Sequence, residues 1–257
     1  MEAGINLYSL RTLIEDEEGF LRTALALRDM GYSSIQFSGA PYDPEVIERV
    51  SKKTGLPVVL THVPPDRVLN ETDALMAEHE RFGCRIIGIG WMSPKPFLDE
   101  DELKKVLADY DRAAAKMKQN GFEFSFHHHF AEMYRVGGGK TVLEHVVDDT
   151  ENINITVDTY WLQYGGADVC KMLDRLAGRV KCVHLKDYMI RARTEDGLSF
   201  SPAFAPVGSG NMDFSPIVEH AKKAGAVHFL VEQDDAVDYD DPLGQAKMSI
   251  DYIKECL

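Results

Sequence analysis

Three short apolar segments of this 257-residue chain each end in residues that can do chemistry. They are Asn154-Ile-Thr-Val-Asp158, Val180-Lys-Cys-Val-His-Leu-Lys-Asp187 and His228-Phe-Leu-Val-Glu232. Short runs rich in valine and leucine predict buried β-strands. Side chains alternate along a strand, so His184 and Lys186 point the same way. Strands that start apolar and end ionisable run from a core out to a site, and this pattern predicts that Asp158, His184 and Glu232 meet in space.

Further polar side chains fall where other predicted strands end: His62, Trp91, His127 to His129, and Asp234. A single histidine at a strand end is more often structural, but polar residues at most strand ends indicate a shared site. Asp, His and Glu without thiolate form a ligand set typical of Mn²⁺, Mg²⁺, Co²⁺ or Zn²⁺ in a catalytic site with open positions. The alternative is a salt-bridge network without a metal. Lys186 would then pair with Asp187 or another carboxylate, whereas in a catalytic site it would stabilise an oxyanion or hold a hydroxyl.

The elements that must position these residues are strands alternating with helices. Eight strands are expected at 5–10, 34–38, 58–62, 85–91, 122–129, 153–159, 180–187 and 227–234. This alternation predicts a single-domain (β/α)₈ TIM barrel over residues 1–257, with its site at the C-terminal ends of the strands. A doubly wound open sheet is the alternative, but Tyr8-Ser-Leu-Arg11 lacks the glycines of a phosphate-binding turn. The stretch 189–213 has no clear periodicity and is predicted to be a long loop.

Composition excludes several classes of function. A formal charge of −14 without a basic cluster disfavours nucleic-acid binding. No apolar run approaches the roughly 18 to 20 residues that a membrane span needs. The four cysteines show no C-x-x-C spacing, and the N-terminus has no features of a secretory signal. Both observations favour a reducing, cytoplasmic location.

The order and spacing of several short motifs resemble the sugar phosphate isomerase/epimerase family. These xylose isomerase-like TIM barrels also include sugar 3-epimerases and inosose dehydratase. The matching pieces are Leu7-Tyr-Ser-Leu-Arg11, Thr61-His62, His127-His-His-Phe-Ala-Glu132, Val157-Asp-Thr-Tyr-Trp161, Val183-His-Leu-Lys-Asp187, Val207-Gly-Ser-Gly210 and Val231-Glu-Gln-Asp234. No single piece is specific, but their order along nearly the whole chain is.

The resemblance implies one divalent metal ion, Mn, Mg, Co or Zn, held by residues from the last four strands. Carried over by position, the ligands are Glu132, Asp158, His184 and Glu232. The strand-five ligand has competitors, because His127 or His129 could replace Glu132. Two residues depart from the family pattern: His128 stands where relatives usually have Asn, and Gln36 where they often have Glu.

The resemblance also implies a sugar or sugar phosphate isomerase or epimerase that transfers a proton through a metal-stabilised enediolate. Glu232 and Glu132 would be the acid/base pair, and Lys186 would assist them. The expected substrate-binding residues are His62, Trp91, His127, His129, Trp161 and Lys186.

Other functions remain open at this point. The same enolate can expel a β-substituent, so the alternative is a metal-dependent dehydratase or a 3-keto-glycoside lyase or hydrolase. A DNA-repair endonuclease is disfavoured by the charge of −14. The departures at His128 and Gln36 leave room for a barrel that binds sugar without turnover. The expected partner is a small-molecule carbohydrate, with homo-oligomerisation undecided.

Overall fold

Eight short strands pair in parallel and close a barrel. The computed structural model describes residues 1–194 and 197–257. Its strands are β1 (Gly4–Asn6), β2 (Ile35–Phe37), β3 (Val58–His62), β4 (Ile86–Ile89), β5 (Glu123–His127), β6 (Ile153–Asp158), β7 (Val180–Leu185), β8 (Asp187–Arg193), β9 (Ser199–Ala205) and β10 (His228–Val231). All except β8 and β9 belong to the barrel, and β10 closes it by pairing with both β7 and β1. The predicted TIM barrel is confirmed.

Helices surround the barrel and connect its strands. They are α1 (Glu17–Met30), α2 (Pro44–Thr54), α3 (Pro65–Asn70), α4 (Thr72–Phe82), α5 (Glu100–Gln119), α6 (Val142–Asp148), α7 (Thr159–Tyr164), α8 (Val169–Arg175), α9 (Phe214–Ala224) and α10 (Pro242–Cys256). The local signals explain their limits: Asp43 caps α2 through the N–H groups of Glu45 and Val46, and Gly55 ends it in the left-handed region. None of the helices in the described residues is long and apolar enough to cross a bilayer.

The barrel interior changes from apolar to polar along its strands. A small buried cluster fills the lower end, formed by Leu60, Ile86, Cys182 and Leu230. Two residues further along the same strands, and therefore on the same face, are His62, His184 and Glu232. The strand period thus carries these ionisable side chains to the top of a packed apolar plug, where a TIM barrel has its site.

The stretch 189–213 differs from the predicted long loop. β8 and β9 pair as an antiparallel hairpin in register from Asp187↔Ala205 to Arg193↔Ser199; residues 195 and 196 lie outside the described residues. Proline within a run argues against a strand, and Pro202 occupies the middle of β9. It is tolerated because this hairpin is a separate two-stranded sheet in which each strand is an edge strand.

The carboxylate of Asp187 holds the base of the hairpin. It is fully buried and accepts backbone N–H groups from Tyr188 at 2.8 Å, Gly208 at 3.0 Å, Gly210 at 2.9 Å and Met212 at 3.2 Å. Gly210 has no room for a side chain, since a Cβ there would lie 2.3 Å from Asp187 Oδ1. The segment Val207 to Gly210 therefore wraps a carboxylate of its own chain.

Replacing Asp187 with Asn is expected to lower the free energy of unfolding by about 3 kcal/mol, because the new NH₂ group faces buried N–H donors. Urea unfolding followed by circular dichroism measures the change, and limited proteolysis should cut first within residues 187–205. The exposed Asp240→Asn is the matched control. Equal stability of the two variants would contradict the anchoring role.

Candidate metal centre

Side chains from four adjacent barrel strands converge at the C-terminal end of the barrel. His127 ends β5, Asp158 ends β6, His184 lies in β7 and Glu232 follows β10. Each offers one ligand atom, these atoms all lie within 4.8 Å of one another, and all four residues are buried. The parallel register places Asp158 directly beside His184. The sequence-based prediction that Asp158, His184 and Glu232 meet is therefore confirmed as geometry.

Three of the four ligand atoms of this group are buried without hydrogen-bond partners. His127 Nε2, Asp158 Oδ2 and His184 Nδ1 all lack one. His184 Nδ1 lies 2.9 Å from Glu232 Oε2, yet the two atoms do not have the geometry of a hydrogen bond. A buried polar atom without a partner costs about 1–3 kcal/mol. Three such atoms beside an ionised carboxylate fit a divalent cation, and the nitrogen and oxygen donors suit Mg²⁺, Mn²⁺, Co²⁺ or Zn²⁺.

Neighbouring groups fix both histidines in the form that a metal ligand needs. The Nε2–H of His184 donates to Gln36 Oε1 at 2.7 Å, so in the neutral ring Nδ1 carries the lone pair. The Nδ1 of His127 lies 3.3 Å from the carbonyl oxygen of Gly90, so its Nε2 keeps the free lone pair. Burial, together with the nearby His184 ring, holds the pKa of His127 well below its usual range. Each ring can therefore direct the lone pair of one nitrogen toward the centre.

Lys186 connects the carboxylates of the site. Its Nζ lies 3.4 Å from Glu232 Oε2, 3.6 Å from Asp158 Oδ2 and 2.8 Å from Asp234 Oδ2, and the side chain is 1% exposed. Burial alone would raise the pKa of Glu232, but the ammonium group of Lys186 holds that pKa well below its usual range. Lys186 does not pair with Asp187. It keeps the carboxylate of Glu232 ionised in a buried position.

Glu232 is also oriented from the opposite side of its carboxylate. Asn6 Nδ2 donates to Glu232 Oε1 at 2.6 Å, so Oε2 is the oxygen that faces His184 and Lys186. The amide oxygen of Asn6 in turn accepts from Ser38 Oγ at 2.5 Å and from the N–H of Tyr8 at 3.2 Å. This chain of hydrogen bonds leaves Asn6 one orientation.

The structure brings His127, and not Glu132, into the ligand group. Glu132 lies in a 3₁₀ turn at Ala131–Met133, is 2% exposed, and accepts the N–H of His129 at 2.7 Å. The resemblance indicated Glu132 because it matches the glutamate at the end of the family motif that His127-His-His-Phe-Ala-Glu132 resembles. The turn instead folds the carboxylate of Glu132 back onto the backbone. The side chain of His127 points into the barrel, as those of Asp158, His184 and Glu232 do.

A cavity of about 650 Å³ opens above the centre. The predicted site residues that line it are His62, Trp91, His127, His129, Lys186 and Glu232. Trp161 packs instead against the ring of His129, at 5.4 Å between centroids, and its ring lies 5.0 Å from Lys186 Nζ. Trp161 thus packs against two residues of the site, His129 and Lys186, and is not itself part of the cavity wall.

Sequence reasoning missed two polar residues at the ends of the first two strands, Asn6 and Ser38, and predicted no contact for Gln36. Asn6 and Ser38 line the cavity. Gln36 bridges His184 and His62, because its Nε2 lies 3.1 Å from His62 Nε2 while its Oε1 accepts from His184. The sequence signal that could have found Asn6 and Ser38 was a polar residue at the end of a strand, the same signal that indicated the residues of the later strands. Gln36 stood out in the sequence only as a departure from the family.

Removing the Gln36 bridge is expected to weaken metal binding. In Gln36→Leu the Nε2–H of His184 loses its acceptor, so the ring is free to rotate or change tautomer, and metal affinity should fall about 10–100-fold. Gln36→Glu is the matched control: it keeps an acceptor for His184 and should retain affinity. Isothermal titration with Mn²⁺ measures both, and equal loss in the two variants would contradict the bridging role.

Comparison with known proteins agrees with this fold. Residues 24–256 match the model of the xylose isomerase-like TIM barrel family. An inosose dehydratase of Clostridium perfringens is 28% identical over 263 residues, covering 91% of this chain and 80% of that protein.

Solved structures share the same architecture. A sugar phosphate isomerase/epimerase of Parabacteroides distasonis superposes with a TM-score of 0.80 at 19% identity, covering 99% of this chain and 94% of that one. A xylose isomerase-like TIM barrel protein of Mycobacterium smegmatis in complex with magnesium gives 0.70 at 16% identity, covering 99% and 95%. Because the family match spans nearly the entire barrel, this chain belongs to the xylose isomerase-like TIM barrel family.

Proposed function

We propose that this protein is a divalent-metal-dependent sugar isomerase or epimerase. It would remove a proton from the carbon beside a substrate carbonyl and return it to the same or the neighbouring carbon. One observation carries the proposal: four buried ligand atoms, three without hydrogen-bond partners, lie together beside an open cavity that His127 and Glu232 line. His127, Asp158, His184 and Glu232 would hold the metal.

The residues of this chain divide the work of proton transfer among them. A bound divalent cation supplies Lewis acidity, which polarises the substrate carbonyl and acidifies the adjacent C–H bond. Glu232 is the proposed base, because Lys186 keeps it ionised and Asn6 fixes its orientation. Burial holds the pKa of His62 well below its usual range, so this ring faces the cavity as a neutral hydrogen-bonding group for a hydroxyl.

A dehydratase is the second candidate, and one observation favours it. Among the described residues, the carboxylates that line the cavity are Glu232 and Asp234, and both follow β10. Epimerisation by two bases needs acid/base groups on two faces of the substrate, whereas isomerisation and dehydration can use one side. The arrangement therefore favours a dehydratase over an epimerase and fits an isomerase equally well. In dehydration, the base takes the α-proton and then gives it to the departing β-hydroxyl, which leaves as water when its C–O bond breaks and the C=C bond forms. The relative from Clostridium perfringens carries the name of such an enzyme.

Proton exchange from solvent tests both candidates together. The protein loaded with Mg²⁺, Mn²⁺ or Co²⁺ is incubated in D₂O with a panel of ketoses and cyclic polyol ketones. An isomerase or epimerase incorporates deuterium and yields an isomeric sugar, which NMR detects. A dehydratase instead yields an unsaturated dicarbonyl or enol product that absorbs in the ultraviolet. Absence of exchange and of product across the panel would refute the proposed function.

A further inference from the structure

The charges around the cavity bear on the class of substrate, an inference that rests on the proposed function. Among the described lining residues, Lys186 is the one lysine or arginine. Its Nζ already lies within 3.6 Å of carboxylate oxygens of Asp158, Glu232 and Asp234. With a divalent cation bound, the charges of these three carboxylates, Lys186 and the cation cancel. The floor of the cavity therefore offers no net positive charge to an anionic substrate.

Two arginines lie behind aromatic residues of the cavity wall, and each already has partners. Arg11 lies over the ring of Tyr8, and its Nη1 donates to the carbonyl oxygens of Tyr8 and Asp234 at 2.9 Å. Arg67 lies 5.7 Å from the ring of Tyr42 and pairs with Glu71 and Glu78. Neither lines the cavity.

Two segments that could hold a phosphate through backbone N–H groups are poor in free donors. Phosphates commonly bind to free N–H groups at a helix N-terminus or in a glycine loop. The helix that begins at the cavity, α3, starts with Pro64-Pro65, and proline has no N–H group. The N–H groups of Gly208 and Gly210 are bonded to Asp187. Neither of these two segments therefore forms a phosphate cradle.

The opposite wall of the cavity suits the C–H face of an uncharged ring. It is formed by aromatic and proline side chains: Tyr8, Pro41, Tyr42, Pro64, Pro65 and Trp91. Trp91 is 57% exposed, so its ring is available at the cavity mouth. Such side chains stabilise a bound ring by apolar contact, and they offer no positive charge to a phosphate.

We infer that the substrate is an uncharged polyhydroxylated carbonyl compound, and that Asp234 is the residue that discriminates against phosphorylated sugars by neutralising Lys186. Asp234 Oδ2 makes the shortest contact to Lys186 Nζ, at 2.8 Å, and its side chain remains 25% exposed toward the cavity. A substrate phosphate beside Lys186 would face the carboxylate of Asp234, whereas a site built for phosphate would offer it a free cation.

Tryptophan fluorescence provides a direct binding test. The chain has two tryptophans, Trp91 in the cavity wall and Trp161 beside Lys186. Mg²⁺-loaded protein is titrated with matched pairs of probes: D-fructose and D-fructose 6-phosphate, and D-ribulose and D-ribulose 5-phosphate. The phosphorylated member should bind at least about tenfold more weakly, because its phosphate loses water and gains no free cation in exchange, and it approaches the carboxylate of Asp234.

Asp234→Asn removes that carboxylate and frees the charge of Lys186. It should shift the ratio of the two affinities toward the phosphorylated member by about tenfold. Asp235→Asn is the control, since it makes the same change of charge on the next residue, which does not line the cavity. It should leave the ratio unchanged.

The outcomes separate this inference from the proposed function. Tighter binding of the phosphorylated members by the wild-type protein overturns the inference. Loss of that tighter binding in Arg11→Gln would identify Arg11 as the cation that binds the phosphate. The proposed function survives in that case if either member exchanges deuterium. An unchanged ratio in Asp234→Asn overturns the role of Asp234. Absence of any binding, by all four probes, overturns the inference, and absence of exchange across the wider panel overturns the proposed function.

Discussion

Glu232→Gln is expected to abolish metal-dependent turnover and to weaken metal binding. The carboxylate would be both a ligand and the base, so its loss should lower kcat by at least about 10³-fold, within the range for removal of a general base. The amide of glutamine cannot accept a proton at neutral pH, and it is a poorer ligand than a carboxylate. Single-turnover kinetics in D₂O measure the chemical step, and calorimetric titration with Mn²⁺ measures affinity.

The fold should survive this substitution. Lys186 keeps two carboxylate partners, Asp158 at 3.6 Å and Asp234 at 2.8 Å, and Asn6 can still donate to the amide oxygen. Unfolding of the metal-free variant, compared with metal-free wild type, checks this point. Unchanged turnover and metal content in Glu232→Gln would refute the assignment of Glu232.

His127→Ala should lower metal affinity by about 100-fold or more, because loss of a direct ligand must exceed the 10–100-fold effect of losing a supporting residue. The structure brings His127 Nε2 to the centre, where it is buried without a hydrogen-bond partner. Glu132→Gln is the matched comparison. Its amide oxygen can still accept the N–H of His129, so metal affinity should stay within a few-fold of wild type.

Metal-induced stabilisation gives a second readout for this pair of variants. A ligand that binds only the folded state stabilises it by an amount that grows with concentration over Kd. The melting temperature of Glu132→Gln should therefore rise with added Mn²⁺ as it does for wild type, and that of His127→Ala should not. The reverse pattern would return Glu132 to the ligand set.

The strand ends of this barrel could be predicted from local sequence. Leu230 followed by Glu232, and Cys182 followed by His184, place an apolar and an ionisable residue on the same inward face. This alternation depends only on the backbone of each strand, so it is present in the sequence before any tertiary contact forms. The barrel itself follows from such strands alternating with helices.

Other features could not be obtained from local patterns. The hairpin of β8 and β9 depends on Asp187, whose carboxylate accepts hydrogen bonds from backbone N–H groups 21 to 25 residues later in the chain. The short α7 begins where Asp158 caps it, so one residue serves both a helix end and the centre. The local sequence around Asp158 gives no sign that one carboxylate serves both roles.

The sequence by itself determined that Asp158, His184 and Glu232 would end barrel strands and face inward, because side-chain alternation is a property of each strand. Only the tertiary structure decided which atoms complete the site. Gln36 reaches His184 across 148 residues and Asn6 reaches Glu232 across 226, because closure of the barrel brings its first strands against its last. The choice between His127 and Glu132 likewise depended on a turn that directs one side chain into the barrel and the other onto the backbone.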